Sequence, residues 1–123
     1  MGAVVPEALS AHERLAGLGV DADVVCVTSP DLLFRAVQAR RGLGGGPAAI
    51  LDSLFPGTRR TPLLTVLDGH PHTLAFLATV TRTPAAHLGV SSFGQSGDLE
   101  AVYRLHGIDA DGIVAAALDL SDT

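Results

Sequence analysis

The chain has 123 residues, of which 47% are hydrophobic, and this suffices for one folded domain with a buried core rather than a disordered segment. Its formal net charge is −5, and no basic stripe with interleaved aromatic residues is present, so we expect no nucleic-acid partner. No apolar run approaches the roughly 20 residues of a membrane-spanning helix, and the N-terminus lacks a signal-peptide pattern. Together with the single cysteine, this predicts a cytoplasmic protein without a membrane partner.

The first third of the chain predicts a helix, a buried strand and a second helix. An apolar face with a proline in the first turn and a glycine after the last predicts a helix over Pro6–Leu18. The continuous apolar run Asp23–Thr28 is typical of a strand covered on both faces, and it would bury Cys26 as a small hydrophobic residue. A Ser-Pro-Asp start predicts the second helix over Pro30–Arg40.

The middle of the chain continues this alternation. The glycines of Gly42–Gly46 predict a connector, and a short helix is expected over Pro47–Phe55. A second buried strand is predicted at Leu63–Leu67. A His-rich turn, Gly69–Thr73, should then lead into a helix over Thr73–Val80.

The last part adds one strand and two helices, predicted at His87–Val90, Leu99–His106 and Ala110–Leu120. Alternating strands and helices predict an α/β fold, with three layers (α/β/α) around a small, mostly parallel sheet. Three strands make a thin sheet, because roughly four to six are usual. We therefore expect that the chain lacks a strand or receives one from elsewhere.

The turn after the second predicted strand is the main candidate site. Asp68, His70 and His72 lie where a buried strand ends, and ligand-binding groups of open α/β sheets gather at such ends. Two imidazoles and a carboxylate can bind a metal, but a two-residue spacing around Pro71 is not a standard zinc pattern, and no metal site is expected. The alternative is a rigid turn in which His72 or Thr73 caps the following helix.

Two other motifs suggest chemistry that their context does not support. Gly94-Gln95-Ser96-Gly97 fails the nucleophile-elbow pattern, so Ser96 is better interpreted as a helix N-cap. The glycines of Gly42–Gly46 follow a helix rather than a strand, and the chain has no lysine, so a phosphate-binding loop is not expected.

Two arginine pairs are candidates for contact with an acidic partner surface. They are Arg40 with Arg41 and Arg59 with Arg60. The alternative is that they are solvated ends of helices and loops.

Three segments, spread over nearly the whole chain, carry a family resemblance: Gly2–Leu18, Val24–Arg35 and Leu88–Leu118. In the last one, a Leu-Gly pair is followed by the loop Phe93-Gly94-Gln95-Ser96, a short helix and an acid-capped final helix. These segments resemble the C-terminal domain of transketolase-like thiamine diphosphate enzymes. The resemblance looks strongest to the homodimeric type of the pyruvate dehydrogenase E1 component.

The resemblance implies that residues 1–123 are one such domain that lacks its first strand, either as a fragment or as a naturally split subunit. It also implies that thiamine diphosphate and Mg²⁺ are held by a larger subunit with pyrophosphate- and pyrimidine-binding domains. The signature acid of the pyrimidine domain and the Gly-Asp-Gly…Asn metal motif do not occur in this sequence. We therefore expect no catalytic residue and no cofactor on this chain alone.

The assembled enzyme would transfer a two-carbon unit from a ketose phosphate or 2-keto acid. By the resemblance, this chain would stabilise the assembly and shape the access of substrate or of a carrier such as a lipoyl domain. The candidate residues for this role or for the interface are Asp68, His70, His72, Phe93, Gln95 and Ser96. Two alternatives stay open: a stand-alone α/β module that binds a ligand or metal at Asp68–His72, and a hydrolase that uses Ser96.

Overall fold

The structure is a computed structural model that describes residues 2–44, 49–55, 61–90 and 107–121. A short 3₁₀ turn at Gly2–Val4 leads into the first helix. The α-helices are α1 (Val5–Gly17), α2 (Pro30–Arg40), α3 (Ala49–Leu54), α4 (Ala78–Thr81) and α5 (Ala110–Ser121). The strands are β1 (Leu63–Val66) and β2 (Ala85–Leu88), and a 3₁₀ helix (Pro71–Leu77) precedes α4 without a break. In the part of the chain described, no helix is both long and apolar enough to cross a bilayer.

The helix starts and stops follow from local sequence. Helix α2 begins at Pro30, where the missing N–H costs nothing, and the Ser29 hydroxyl accepts a hydrogen bond from the Leu32 N–H at 3.4 Å. Asp31 in its first turn is favourable to the helix dipole. The predicted bounds of α2 are confirmed. Helix α1 begins and ends one residue earlier than predicted, and α5 ends one residue later than predicted.

The two strands form a parallel pair with Leu63 opposite Ala85 and Val66 opposite Leu88. The Leu63 N–H donates to the Pro84 carbonyl at 2.9 Å, and the Leu67 N–H donates to the Leu88 carbonyl at 3.2 Å. Successive side chains of β1 alternate between two apolar clusters, so both faces of the sheet are covered.

Helices cover each face of this pair, which confirms the three-layer α/β/α prediction. On one face α1 packs on α5, and their buried residues meet Leu64, Val66 and Leu88. On the other face lie α2, α3 and the 3₁₀ helix, with Leu51 fully buried at the centre. The buried residues of this second cluster are Leu33, Ala36, Val37, Leu51, Leu67, Leu74 and Leu77.

The predicted strand at Asp23–Thr28 is wrong, since the structure forms no strand there. Val24 and Val25 are 39% and 36% exposed, and Cys26 is exposed rather than buried. Only Val27 packs against the core. An apolar run becomes a central strand only when a neighbouring strand and a layer on each face cover it, and the described residues do not supply that cover here.

Further boundaries differ from the sequence predictions, among them those of β2 and of the helix predicted from Thr73. Strand β2 covers Ala85–Leu88 rather than His87–Val90, because its register with β1 brings Ala85 and Ala86 into the ladder. The helix predicted from Thr73 begins already at Pro71, as a 3₁₀ helix. The predicted helix Leu99–His106 lies outside the described residues.

Candidate functional site

The turn that follows β1 is anchored against the end of β2. The Val90 N–H donates to the Gly69 carbonyl at 2.7 Å, and the Thr73 N–H donates to the His70 carbonyl at 3.1 Å. Gly89 packs so closely on this turn that an added Cβ would lie 2.5 Å from the Gly69 carbonyl oxygen and 2.9 Å from Pro71 N. Pro71 further restricts the backbone. The turn is therefore held rigidly at the carboxyl edge of the sheet.

The two histidines of this turn contact each other. The Nδ1 atoms of His70 and His72 lie 2.5 Å apart, with ring centroids 4.4 Å apart and planes at 60°. His70 is the N-cap of the 3₁₀ helix, and its Nδ1 also accepts from the His72 backbone N–H at 3.2 Å. The capping residue is thus His70 and not His72 or Thr73, because the helix begins earlier than predicted. Both side chains are exposed.

Asp68, the first residue of this candidate set, lies next to Gly2 near the start of the chain. Its carboxylate packs against Gly2, where an added Cβ would overlap it, and Gly2 has a φ of +76°. Among the described residues, no group of three or more His, Cys, Asp or Glu side chains is placed to hold a metal ion. The structure therefore brings His70 and His72 together but does not add Asp68 as a third ligand.

An open groove of about 490 Å³ runs beside the histidine pair. Its lining residues are Pro30, Asp31, Phe34, His72, Thr73 and Phe76. Phe34 and Phe76 meet edge to face with centroids 5.4 Å apart, and Phe34 is 44% exposed. Asp31 pairs with Arg35 at 3.1 Å on the same helix. The lining of the groove thus combines two aromatic rings with an imidazole and a carboxylate.

A partly buried polar pair bridges the two strands of the sheet. The Thr65 hydroxyl and the His87 Nδ1 lie 2.7 Å apart on directly opposite positions of β1 and β2. Thr65 is buried, and the bond satisfies a hydroxyl that would otherwise be costly there. Sequence reasoning missed this pair because only the strand register reveals which residues face each other.

The arginine candidates have different surroundings. Arg40 forms an ion pair with Asp52 at 2.7 Å, which joins α2 to α3 within the chain. Arg41 is exposed at the end of α2. Arg59 and Arg60 lie outside the described residues, as do the loop candidates Phe93, Gln95 and Ser96. Their proposed contacts with a partner stay predictions.

Comparison with known families adds the decisive observation. The model of the family described as the transketolase-like TK C-terminal domain matches residues 1–109. The chain belongs to this transketolase-like C-terminal domain family. Neither the comparison with curated proteins nor that with solved structures gave a match. Family membership agrees with the α/β fold and implies a larger partner domain or subunit.

In the described part of this transketolase-like domain, the acidic and histidine side chains do not form a site that fits thiamine diphosphate with Mg²⁺. The diphosphate and its metal need several converging oxygen ligands, and the described residues provide no such group. The histidine turn offers nitrogen ligands, which Mg²⁺ does not prefer. We therefore derive no catalytic step through the cofactor on this chain.

Proposed function

We propose that this transketolase-like domain is the C-terminal part, or a separate small subunit, of a thiamine diphosphate enzyme of the pyruvate dehydrogenase E1 type. The enzyme would transfer a two-carbon unit from a 2-keto acid or a ketose phosphate in the cytoplasm. The chemistry would take place on a larger subunit that holds thiamine diphosphate and Mg²⁺. The single observation that supports this proposal is the family match over residues 1–109.

The exposed apolar surface of the domain favours a partner. Val24 and Val25 are more than one third exposed, although they stand in a run whose pattern is typical of a covered strand. Leu32 and Leu43 are 61% and 71% exposed. Single exposed apolar residues are common on monomers, but an apolar segment of this kind is stabilised when another chain covers it.

In this proposal the histidine turn and the loop after β2 shape the access of substrate or carrier to the active site and take no part in catalysis. His70 and His72 stand on a rigid turn at the carboxyl edge of the sheet, where ligands approach α/β domains. The substrate, or a carrier such as a lipoyl domain, would pass this edge. Phe93, Gln95 and Ser96 follow β2 in the sequence and are assigned to the same role by the resemblance alone.

The proposal is tested first by the cofactor affinity of the isolated chain. Isothermal titration of thiamine diphosphate in the presence of Mg²⁺ into the purified chain should give no binding heat. A thermal melt in the same solution should show no shift of Tm, because a ligand stabilises only a folded state that binds it. A micromolar affinity for the cofactor would refute the division of roles between this chain and a larger subunit.

Measurements on the same purified chain also distinguish the proposal from the two alternatives. A stand-alone ligand-binding module would be monomeric and would need no larger subunit for its stability. A hydrolase that uses Ser96 would be labelled by a serine-directed phosphonate, and we expect no label. Mass spectrometry of the intact chain after exposure to the phosphonate decides this second point.

A further inference from the structure

The connector between α1 and α2 passes from one face of the sheet to the other. Val20, at its start, packs against the apolar cluster on the α1 and α5 face, and Val27 packs against the cluster under α2 and α3. The residues between them therefore cross the margin of the sheet, between its two helical layers. Within this stretch Val24, Val25 and Cys26 are exposed.

The backbone of the segment Val24–Thr28 takes part in no ladder. None of its N–H or carbonyl groups forms a backbone hydrogen bond with another residue that the structure describes. The turns on either side are closed, since the Val20 N–H donates to the Leu15 carbonyl at 2.9 Å and the Leu33 N–H to the Ser29 carbonyl at 3.4 Å. An apolar segment rich in β-branched residues, with unpaired backbone groups at the margin of a sheet, is a template for a strand from elsewhere.

The charge of the connector favours a basic partner and disfavours a second copy of this chain. Between Val20 and Phe34 the sequence has three aspartates and no basic residue. Two copies that met through this segment around a two-fold axis would bring both sets of aspartates together, on chains that each carry a net charge of −5. Like charges placed opposite each other oppose such pairing, whereas a strand that carries arginine or lysine is attracted.

We propose that Val24–Thr28 is a docking segment that pairs through its backbone with an apolar, basic strand from the thiamine diphosphate-binding part of the enzyme. The inference rests on the proposed function and adds where the partner binds and which chemistry it presents. Main-chain hydrogen bonds would supply affinity, and burial of Val24, Val25 and Cys26 would add to it. The new strand would widen the sheet, of which the described residues form two strands, toward the roughly four to six that are usual.

The test compares the isolated chain with the assembly purified from its own cells under native conditions. Hydrogen exchange followed by mass spectrometry reports on the backbone of the docking segment, and the reaction of Cys26 with a maleimide reports on its side chains. In the isolated chain both reactions should be fast, because the thiol is exposed and the amides have no backbone partner among the described residues. In the assembly the amides should exchange at least about tenfold more slowly, as those of a hydrogen-bonded ladder do, and the Cys26 reaction should slow with them.

Two variants at one position separate backbone pairing from apolar contact alone. Val25→Pro removes a backbone donor, whereas Val25→Thr keeps the backbone and the branched shape. Since Val25 is exposed, neither change should shift the Tm of the isolated chain by more than about 3 °C, and circular dichroism melts verify this. In the assembly, Val25→Pro should abolish the exchange protection of the segment and Val25→Thr should retain it. The protection should also decrease as the ionic strength rises, because the contact joins unlike charges.

The outcomes distinguish this inference from the proposed function on which it rests. If the assembly holds the cofactor and both of its binding domains but the segment exchanges as fast as in the isolated chain, the inference is wrong and the proposed function stands. Protection that arises in a dimer of this chain alone, or equal protection in Val25→Pro and Val25→Thr, would also overturn the inference. Recovery of a monomer without either cofactor-binding domain would overturn the proposed function and this inference with it.

Discussion

The contact between Gly89 and the histidine turn yields the sharpest prediction of the structure. In Gly89→Ala the new Cβ would lie 2.5 Å from the Gly69 carbonyl oxygen, 2.9 Å from Pro71 N and 3.0 Å from Pro71 Cδ. Two of these atoms belong to the backbone, so a side-chain rotation cannot relieve the clashes with them. Gly89 does not have a positive φ, so the loss of stability in Gly89→Ala comes from steric overlap and not from backbone strain.

Overpacking of this kind costs about 1–3 kcal/mol in the free energy of unfolding. For a chain of this length that lowers Tm by roughly 3–15 °C. The matched control is Gly17→Ala, because an added Cβ on this helical glycine meets nothing within 4 Å. Alanine in a helix is favoured over glycine by about 0.5–1 kcal/mol, so Tm should stay or rise slightly.

Differential scanning calorimetry of both variants measures these changes. If Gly89→Ala has the same Tm as the wild type while Gly17→Ala behaves as expected, then the turn is not packed against the end of β2. The account of a rigid histidine turn would then be wrong.

Two further substitutions test the core and the packing of the first helix on the last. Leu51→Ala removes a fully buried side chain and should lower the free energy of unfolding by about 2–5 kcal/mol, measured by urea unfolding. Its control is Ile50→Ala on the same helix, where the side chain is 45% exposed and the loss should be about 0.5 kcal/mol. Glu7→Ala removes a carboxylate that accepts a 2.8 Å hydrogen bond from the first backbone N–H of α5, and should cost about 1.5–3 kcal/mol. Glu13→Ala, exposed on the same helix, should be neutral; equal losses in either pair would contradict the assigned contacts.

The helices and β1 follow from local sequence because their signals are local. The Ser-Pro-Asp start of α2 fixes the first residue of that helix through one hydroxyl and one proline. The alternation of faces along β1 follows from the two-residue period of an extended strand. Such features depend on neighbours within a few residues, so a single sequence predicts them.

The errors and omissions arise where distant parts of the chain decide. The apolar run Asp23–Thr28 has the composition of a buried strand, but its burial depends on layers that the described residues do not supply. The lining of the groove includes Phe34 and Phe76, which are far apart in sequence and meet only after folding. The closeness of His70 and His72 depends on the dihedral angles of the turn, to which spacing is only a weak guide.

The central claim is that this transketolase-like domain works as part of a larger thiamine diphosphate enzyme. Its most direct test is purification of the tagged chain from its own cells under native conditions, with the protein composition and the thiamine diphosphate content of the product measured together. We predict that the domain is recovered either joined to both cofactor-binding domains or in a stoichiometric complex with a chain that carries them, with cofactor present in proportion to those domains. Recovery of a stable monomer with no associated chain and no cofactor in any fraction would contradict the claim.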